Sequence, residues 1–167
     1  MTAGRRLCTV TAVALTLIAP PAGAEVSAKS AFLERCGGCH GLDGRSAAVL
    51  VPDLRDQVGY FLCTPQGRAY VGRLPNVAFS GVSDQALAGI INYTIFTVGG
   101  TSVPAGAKAY SAAEVGRLRR QPLTATDLVA QRAVVAEAVI AACPAAVGLR
   151  IYKSRSAAQA PAKETIR

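Results

Sequence analysis

The sequence predicts a mostly helical, all-α fold. Apolar residues recur at helical spacing in several segments, and helix start and stop signals bound those segments. The chain has 167 residues, of which 51% are hydrophobic and 17% are charged. This length allows one domain with short appendages and excludes a large multidomain enzyme. Apolar residues occur through most of the chain, which argues against wholesale disorder.

Residues 1–24 have the pattern of an export signal. Arg5 and Arg6 precede an uncharged apolar run over residues 7–19, and Ala22-Gly23-Ala24 is typical of a cleavage site. The run is shorter than the roughly 20 residues that span a bilayer. We therefore expect the signal to be removed, leaving a mature chain that does not span a membrane and resides in the periplasm, an oxidising compartment.

A short helix is predicted over residues 27–36, with Phe32 and Cys36 one turn apart. It leads into Cys36-Gly37-Gly38-Cys39-His40, the pattern of covalent c-type haem attachment. Two thiols at this spacing can reach the two vinyl groups of one porphyrin, and the next residue can then bring its imidazole to the iron. A redox dithiol would not need the histidine, and a zinc site would need further ligands. Since the chain has only one histidine, the motif predicts one covalently attached haem c with His40 as the proximal iron ligand.

The segments around this motif resemble the class I c-type cytochromes over about residues 25–100. Gly41-Leu42-Asp43-Gly44 is similar to the glycine-rich continuation of that family, and Val51-Pro52-Asp53-Leu54 is similar to its proline segment. The predicted helix over residues 83–98 has apolar side chains at helical spacing and ends at Gly99-Gly100. It resembles the last helix of the family.

The resemblance implies a cytochrome c-like helical haem domain. In that family the proline carbonyl accepts a hydrogen bond from the proximal histidine, which assigns Pro52 to His40. Such an acceptor orients the ring and makes the imidazole a stronger donor to iron. The resemblance also implies that Tyr93 packs near Phe32.

Between the proline segment and the last helix, the apolar pattern of residues 53–62 predicts an amphipathic helix that begins behind Pro52. Gln66-Gly67-Arg68 then predicts a turn. Arg68 or Arg73 could pair with a haem propionate. We favour the interpretation that both are solvated.

The distal side departs from the family. Class I cytochromes commonly supply a methionine in a Met-Pro step ahead of the last helix, and this chain has Leu74-Pro75 there. The only methionine is residue 1 and the only histidine is His40, which excludes both His/Met and bis-histidine coordination in the mature chain.

Three distal arrangements stay open. The iron is five-coordinate with Leu74 and other apolar groups over an open face, or Cys63 supplies a thiolate that strongly lowers the reduction potential. In the third arrangement a weak donor fills the site, and the candidates are Lys108, Tyr93, Asn76, Thr94 and water.

Cys63 has a second interpretation as the disulfide partner of Cys143. Export into an oxidising space favours disulfides, and this pairing accounts for both thiols that remain outside the signal and the attachment motif. We favour the disulfide over iron ligation. It would tie the C-terminal part of the chain to the haem domain.

The C-terminal part has two further helix starts. Ser111-Ala112-Ala113-Glu114 is a capping-box pattern that opens a helix through Arg120, and Thr124-Ala125-Thr126-Asp127 precedes a helix over residues 128–143. We therefore divide the chain into four parts. These are the signal peptide (1–24), the haem domain (25–126), a helical extension packed on it (127–152) and a mobile tail (153–167).

Basic residues outnumber acidic ones and give the chain a net charge of +8, which is compatible with an acidic redox partner. Arg117, Arg119 and Arg120 are candidates for such a docking surface, although the polar face of a short helix explains them equally well. We do not expect nucleic-acid binding, because the basic residues are not interleaved with aromatic ones and the chain is exported.

The sequence thus predicts an electron carrier rather than an enzyme. We expect single-electron transfer with a periplasmic dehydrogenase or respiratory partner. The first alternative is an open-site haem protein that binds or senses CO, NO or peroxide. The absence of a second histidine leaves room only for weak peroxidase activity. The second alternative is an accessory haem protein for a periplasmic enzyme.

Overall fold

The computed structural model of the chain describes residues 23–46 and 51–151. The predicted export signal, apart from its last two residues, and the predicted tail over residues 153–167 lie outside this part. Among the described residues, no helix has the length and apolar character needed to cross a membrane.

The described residues form helices and no strands, which confirms the all-α prediction. The α-helices are α1 (Gly23–Arg35), α2 (Gly37–His40), α3 (Pro65–Arg73), α4 (Pro75–Ala78), α5 (Asp84–Tyr93), α6 (Ala112–Arg119) and α7 (Leu128–Ala142). The chain also forms 3₁₀ turns at Val58–Cys63, Gly100–Ser102 and Pro144–Leu149, and a π-helical turn at Thr94–Val98 directly after α5.

Helix α5 packs against α1, and small residues allow the close approach. A Cβ atom on Gly89 would lie 4.0 Å from the Cβ of Ala28. Nearby, the rings of Phe32 and Tyr93 lie 5.5 Å apart between centroids, tilted by 51°, which is a favourable aromatic geometry. Phe32 is fully buried. The predicted contact between these two aromatic residues is confirmed.

The predicted helix over residues 53–62 is wrong. Asp56 has a φ of 55°, in the left-handed region that a right-handed helix cannot include. The regular structure therefore starts only at Val58, as a 3₁₀ turn that ends at Cys63. Within this turn the Gly59 N–H donates to the Ser102 hydroxyl at 2.9 Å, so the tertiary contact with the later chain supports a local geometry that the apolar pattern did not indicate.

The predicted turn at residues 66–68 is also wrong, because these residues lie inside α3. The Thr64 hydroxyl accepts a hydrogen bond from the Gly67 N–H at 2.9 Å, and Pro65 occupies the first helical position, so the helix has a regular start. Gly67 is needed for packing rather than for a turn, since a Cβ atom there would collide with the carbonyl oxygen of Phe61.

The two C-terminal helices begin at the predicted signals. The Ser111 hydroxyl accepts from the Glu114 N–H at 3.1 Å, and one carboxylate oxygen of Asp127 accepts from two backbone N–H groups of α7 at 2.9 Å. Val135 and Val139 of α7 are buried in one hydrophobic core together with side chains of α3 and α5. The extension therefore shares its core with the preceding helices.

Candidate cofactor site

A cavity lies in the middle of the helices, with about 910 Å³ of space that is not filled by protein atoms, part of it open to solvent. Its walls are mostly apolar and come from chain segments that are far apart in sequence. The lining comprises Arg35, Cys36, His40, Pro52, Asp53, Leu54, Val58, Phe61, Tyr70, Val71, Leu74, Asn76, Val77, Ser80, Leu87, Ile90, Ile91, Thr94 and Arg132. Cys36, His40, Pro52 and Leu74, all predicted from the sequence as cofactor-binding residues, thus meet at one cavity.

The His40 ring is oriented by the proline segment. Its Nδ1 lies 2.9 Å from the carbonyl oxygen of Pro52. A carbonyl can only accept, so Nδ1 carries the proton and Nε2 carries the lone pair that a metal would use. The hydrogen bond that the family resemblance implied is confirmed.

The two motif thiols are free. They are held by the short helix α2, where the N–H groups of Cys39 and His40 donate to the Cys36 carbonyl at 3.2 and 2.9 Å. Gly41, with a φ of 76°, ends this helix in a conformation that other residues rarely adopt. Cys36 lines the cavity, while Cys39 is exposed and lies outside the lining.

Burial controls the protonation of both groups. It lowers the pKa of His40, an effect that the hydrogen bond to Pro52 and the charge of Asp53 oppose. Burial also raises the pKa of the Cys36 thiol, reinforced by Cys39 and opposed by Arg35. The imidazole is therefore favoured in its neutral form, which is the form that binds a metal.

The structure separates the distal candidates into two groups. Leu74 lies at the junction of α3 and α4 and lines the cavity, as do Asn76 and Thr94. Lys108 and Tyr93 lie outside the lining. The hydroxyl of Thr94 donates to the Ile90 carbonyl at 2.8 Å, and the π-helical turn begins at this residue.

Cys63 is joined to Cys143 in a disulfide, with the two Cα atoms 6.2 Å apart. The favoured prediction, that Cys63 pairs with Cys143, is confirmed. A disulfide sulfur is not a thiolate, and Cys63 does not line the cavity. The alternative in which Cys63 is the distal ligand is therefore wrong for the oxidised chain.

The two arginines considered for a propionate are engaged elsewhere. Arg68 donates to both carboxylate oxygens of Glu114 at 2.6 and 2.7 Å, and its guanidinium stacks on the Tyr110 ring at 4.0 Å. Arg73 donates to the Gln121 carbonyl at 2.5 Å. Neither lines the cavity.

Arg132 of α7 lines the cavity, and sequence reasoning missed it. Only 6% of this residue is exposed. The signal that would have found it is its position, because it lies four residues after Leu128 and three before Val135, on the face expected to be apolar. A charged residue on such a face indicates either a partner or a ligand.

The arginine cluster of α6 is only partly available for docking. Arg119 donates to the carbonyls of Ala78 and Val82 at 2.9 and 2.7 Å and to Asp84 at 3.2 Å. It therefore holds α6 against the α4–α5 junction, whereas Arg117 and Arg120 are exposed.

The residues present fit a haem. The Cys36 thiol and the His40 imidazole, with its Nε2 available, line a largely apolar cavity, Cys39 directly precedes His40, and a buried arginine on the cavity wall can meet a carboxylate. Groups of three or more His, Cys, Asp or Glu side chains that could hold a metal ion are absent from residues 23–46 and 51–151.

Comparison with protein-family models, curated proteins and solved structures finds no match.

Proposed function

We propose that this chain is an exported mono-haem c-type cytochrome that transfers single electrons in the periplasm to or from a dehydrogenase or a respiratory protein. The observation that carries the proposal is the common cavity of Cys36, His40, Pro52 and Leu74, in which Pro52 bonds the imidazole at 2.9 Å. These residues come from three segments, and a haem is the group that uses all of them.

The residues of the attachment motif and Pro52 have distinct roles in the proposal. Cys36 and Cys39 attach the porphyrin covalently, and His40 binds the iron through Nε2. Pro52 holds the imidazole ring and keeps its proton on Nδ1. The bound haem supplies one-electron chemistry, and the apolar walls keep water from the iron and so help to set the reduction potential.

The first experiment tests attachment. The full-length chain is produced in a bacterial host with a c-type cytochrome maturation system and compared with Cys36→Ala, Cys39→Ala and His40→Ala. We expect the purified wild-type protein to carry the mass of one covalent haem and each single cysteine variant to lose at least one thioether bond. Cys63→Ala/Cys143→Ala is the matched control, because it removes two cysteines outside the motif; it should lose stability and still keep the covalent haem.

A colourless wild-type protein with the mass of the bare polypeptide would refute the haem proposal. If haem is attached, reversible one-electron reduction is the second measurement. A protein that cannot be reduced and reoxidised without loss of haem would contradict electron transfer, even with the cofactor in place.

A second candidate function is the binding of a small ligand such as CO or NO at an open iron. Leu74 and Val77, whose side chains have no atom that binds iron, line the cavity, and Ser80, which also lines it, has a buried hydroxyl with no hydrogen-bond partner among the described residues. Such a hydroxyl suits a polar iron-bound ligand. Rapid stoichiometric CO binding by the reduced protein, with a dissociation rate that changes in Ser80→Ala, would favour this function. Absence of CO binding would indicate a strong sixth ligand and leave the electron carrier.

A further inference from the structure

Arg132 brings the C-terminal extension into contact with the cavity. Arg132 lies in the second turn of α7, outside the region that resembles the class I cytochromes, yet its side chain forms part of the cavity wall. The exposed fraction of this residue is 6%, so its charge is largely removed from water.

Three contacts of the extension hold this part of α7 in place. Nη1 of Arg132 donates to the Leu149 carbonyl at 3.0 Å, and the guanidinium carbon lies 5.7 Å from the centroid of the Phe61 ring. Phe61 also lines the cavity. At the end of α7, Cys143 is bonded to Cys63, which closes the turn that contains Phe61.

A buried guanidinium on an apolar wall favours a ligand with a carboxylate. Charge-assisted hydrogen bonds are stronger than neutral ones, and the planar fork of arginine matches a carboxylate with two parallel bonds. Removal from water strengthens the attraction further. Of the groups that fit the cavity, a haem offers two propionates on an otherwise apolar ring.

We propose that Arg132 binds a propionate of the haem, so that the C-terminal extension is part of the cofactor site rather than an element for partner docking. This inference rests on the proposed function. It adds that two distant parts of the sequence hold the cofactor: the motif with His40 and the two cysteines, and helix α7 of the extension.

The test uses the haem-loaded full chain and the variants Arg132→Gln and Arg132→Lys. A cation near the iron favours the reduced, less positive haem. We therefore expect Arg132→Gln to lower the equilibrium constant for reduction about tenfold, which corresponds to about 59 mV for one electron. We also expect the pH at which the potential responds to propionate titration to rise, because the carboxylate loses its positive neighbour. Arg132→Lys keeps the charge without the fork, so its potential should lie between the other two.

Arg150→Gln is the matched control, since Arg150 also belongs to the extension but is exposed and pairs with Glu137. Its potential and pH profile should equal those of the wild type. Equal potentials and pH profiles in the wild type and both Arg132 variants would overturn the proposal, even if the variants are less stable. That outcome would leave Arg132 as a residue that only fixes Leu149. A wild-type protein without haem refutes the proposed function itself, so the two failures are distinguishable.

Discussion

The disulfide between Cys63 and Cys143 should contribute a large part of the stability of the chain. The two residues are separated by 80 positions. With the chain-entropy model, a closed loop of this length restricts the unfolded chain by about 4.5 kcal/mol at 25 °C, and native disulfides in small secreted domains typically contribute about 2–5 kcal/mol. We expect Cys63→Ala/Cys143→Ala to lose between about 2 and 4.5 kcal/mol of unfolding free energy.

Urea denaturation followed by circular dichroism measures this loss. For a slope of about 1.5 kcal/mol/M, a loss of about 3 kcal/mol moves the midpoint down by about 2 M. The wild-type chain in reductant provides an independent perturbation, because Cys36 and Cys39 form no disulfide and thioether bonds to a haem would not be reduced. Reduction should therefore act on this one bond and reproduce the effect of the double variant.

The effect should also be local. Amide hydrogen exchange in α7 should accelerate more than exchange in α5, because the bond anchors the end of α7 and does not touch the contact between α1 and α5. The wild type, the double variant and the reduced wild type are compared. Urea midpoints that agree within about 0.5 M in all three, which is the scale of normal extrapolation error, would refute the reasoning. Equal acceleration in α5 and α7 would show that the bond stabilises the chain as a whole and not the extension in particular.

The remaining predictions concern stability and use the same urea assay. Phe32→Ala should cost about 3–5 kcal/mol, because it removes a fully buried ring, and a loss below 1 kcal/mol, as for an exposed ring, would contradict the packing of α1 on α5. Glu114→Gln should cost about 1 kcal/mol at pH 7. Since Arg68 lowers the pKa of Glu114 in the folded chain, this stabilisation is complete above the carboxyl pKa of the unfolded chain and is lost as the pH falls through the folded pKa. The wild type and the variant should therefore converge in acid, and a difference that persists there would assign the effect to packing. Gly44→Ala should cost about 1–3 kcal/mol, because Gly44 has a φ of 84° and an added Cβ would collide with Val98; Gly38→Ala, where the space is open, is its control.

The helical class and the starts of α5, α6 and α7 could be predicted from the sequence, because these signals act between residues one turn apart. A hydroxyl or carboxylate at Ser83, Ser111 or Asp127 needs only the next three N–H groups to form its cap. The attachment motif is equally local, since its five residues are contiguous. Such local patterns can be recognised without knowledge of any tertiary contact.

The two wrong local predictions have a common origin. The apolar spacing of residues 53–62 suits a helix, yet Asp56 takes a left-handed conformation and Gly59 bonds Ser102 across the fold. Glycine is a residue typical of turns, yet Gly67 lies inside α3. A glycine is needed there because a larger residue would collide with the Phe61 carbonyl. In both segments a contact with another part of the chain outweighs a weak local preference.

By itself, the sequence showed which residues would hold the proposed haem, and simple counting shows no histidine besides His40 and no methionine besides residue 1. Only the tertiary structure decided that Cys63 belongs to Cys143 and that Arg132, rather than Arg68 or Arg73, stands at the cavity wall. Composition and spacing identify donors, acceptors and charges, but which of them meet depends on how the buried faces of distant helices pack together.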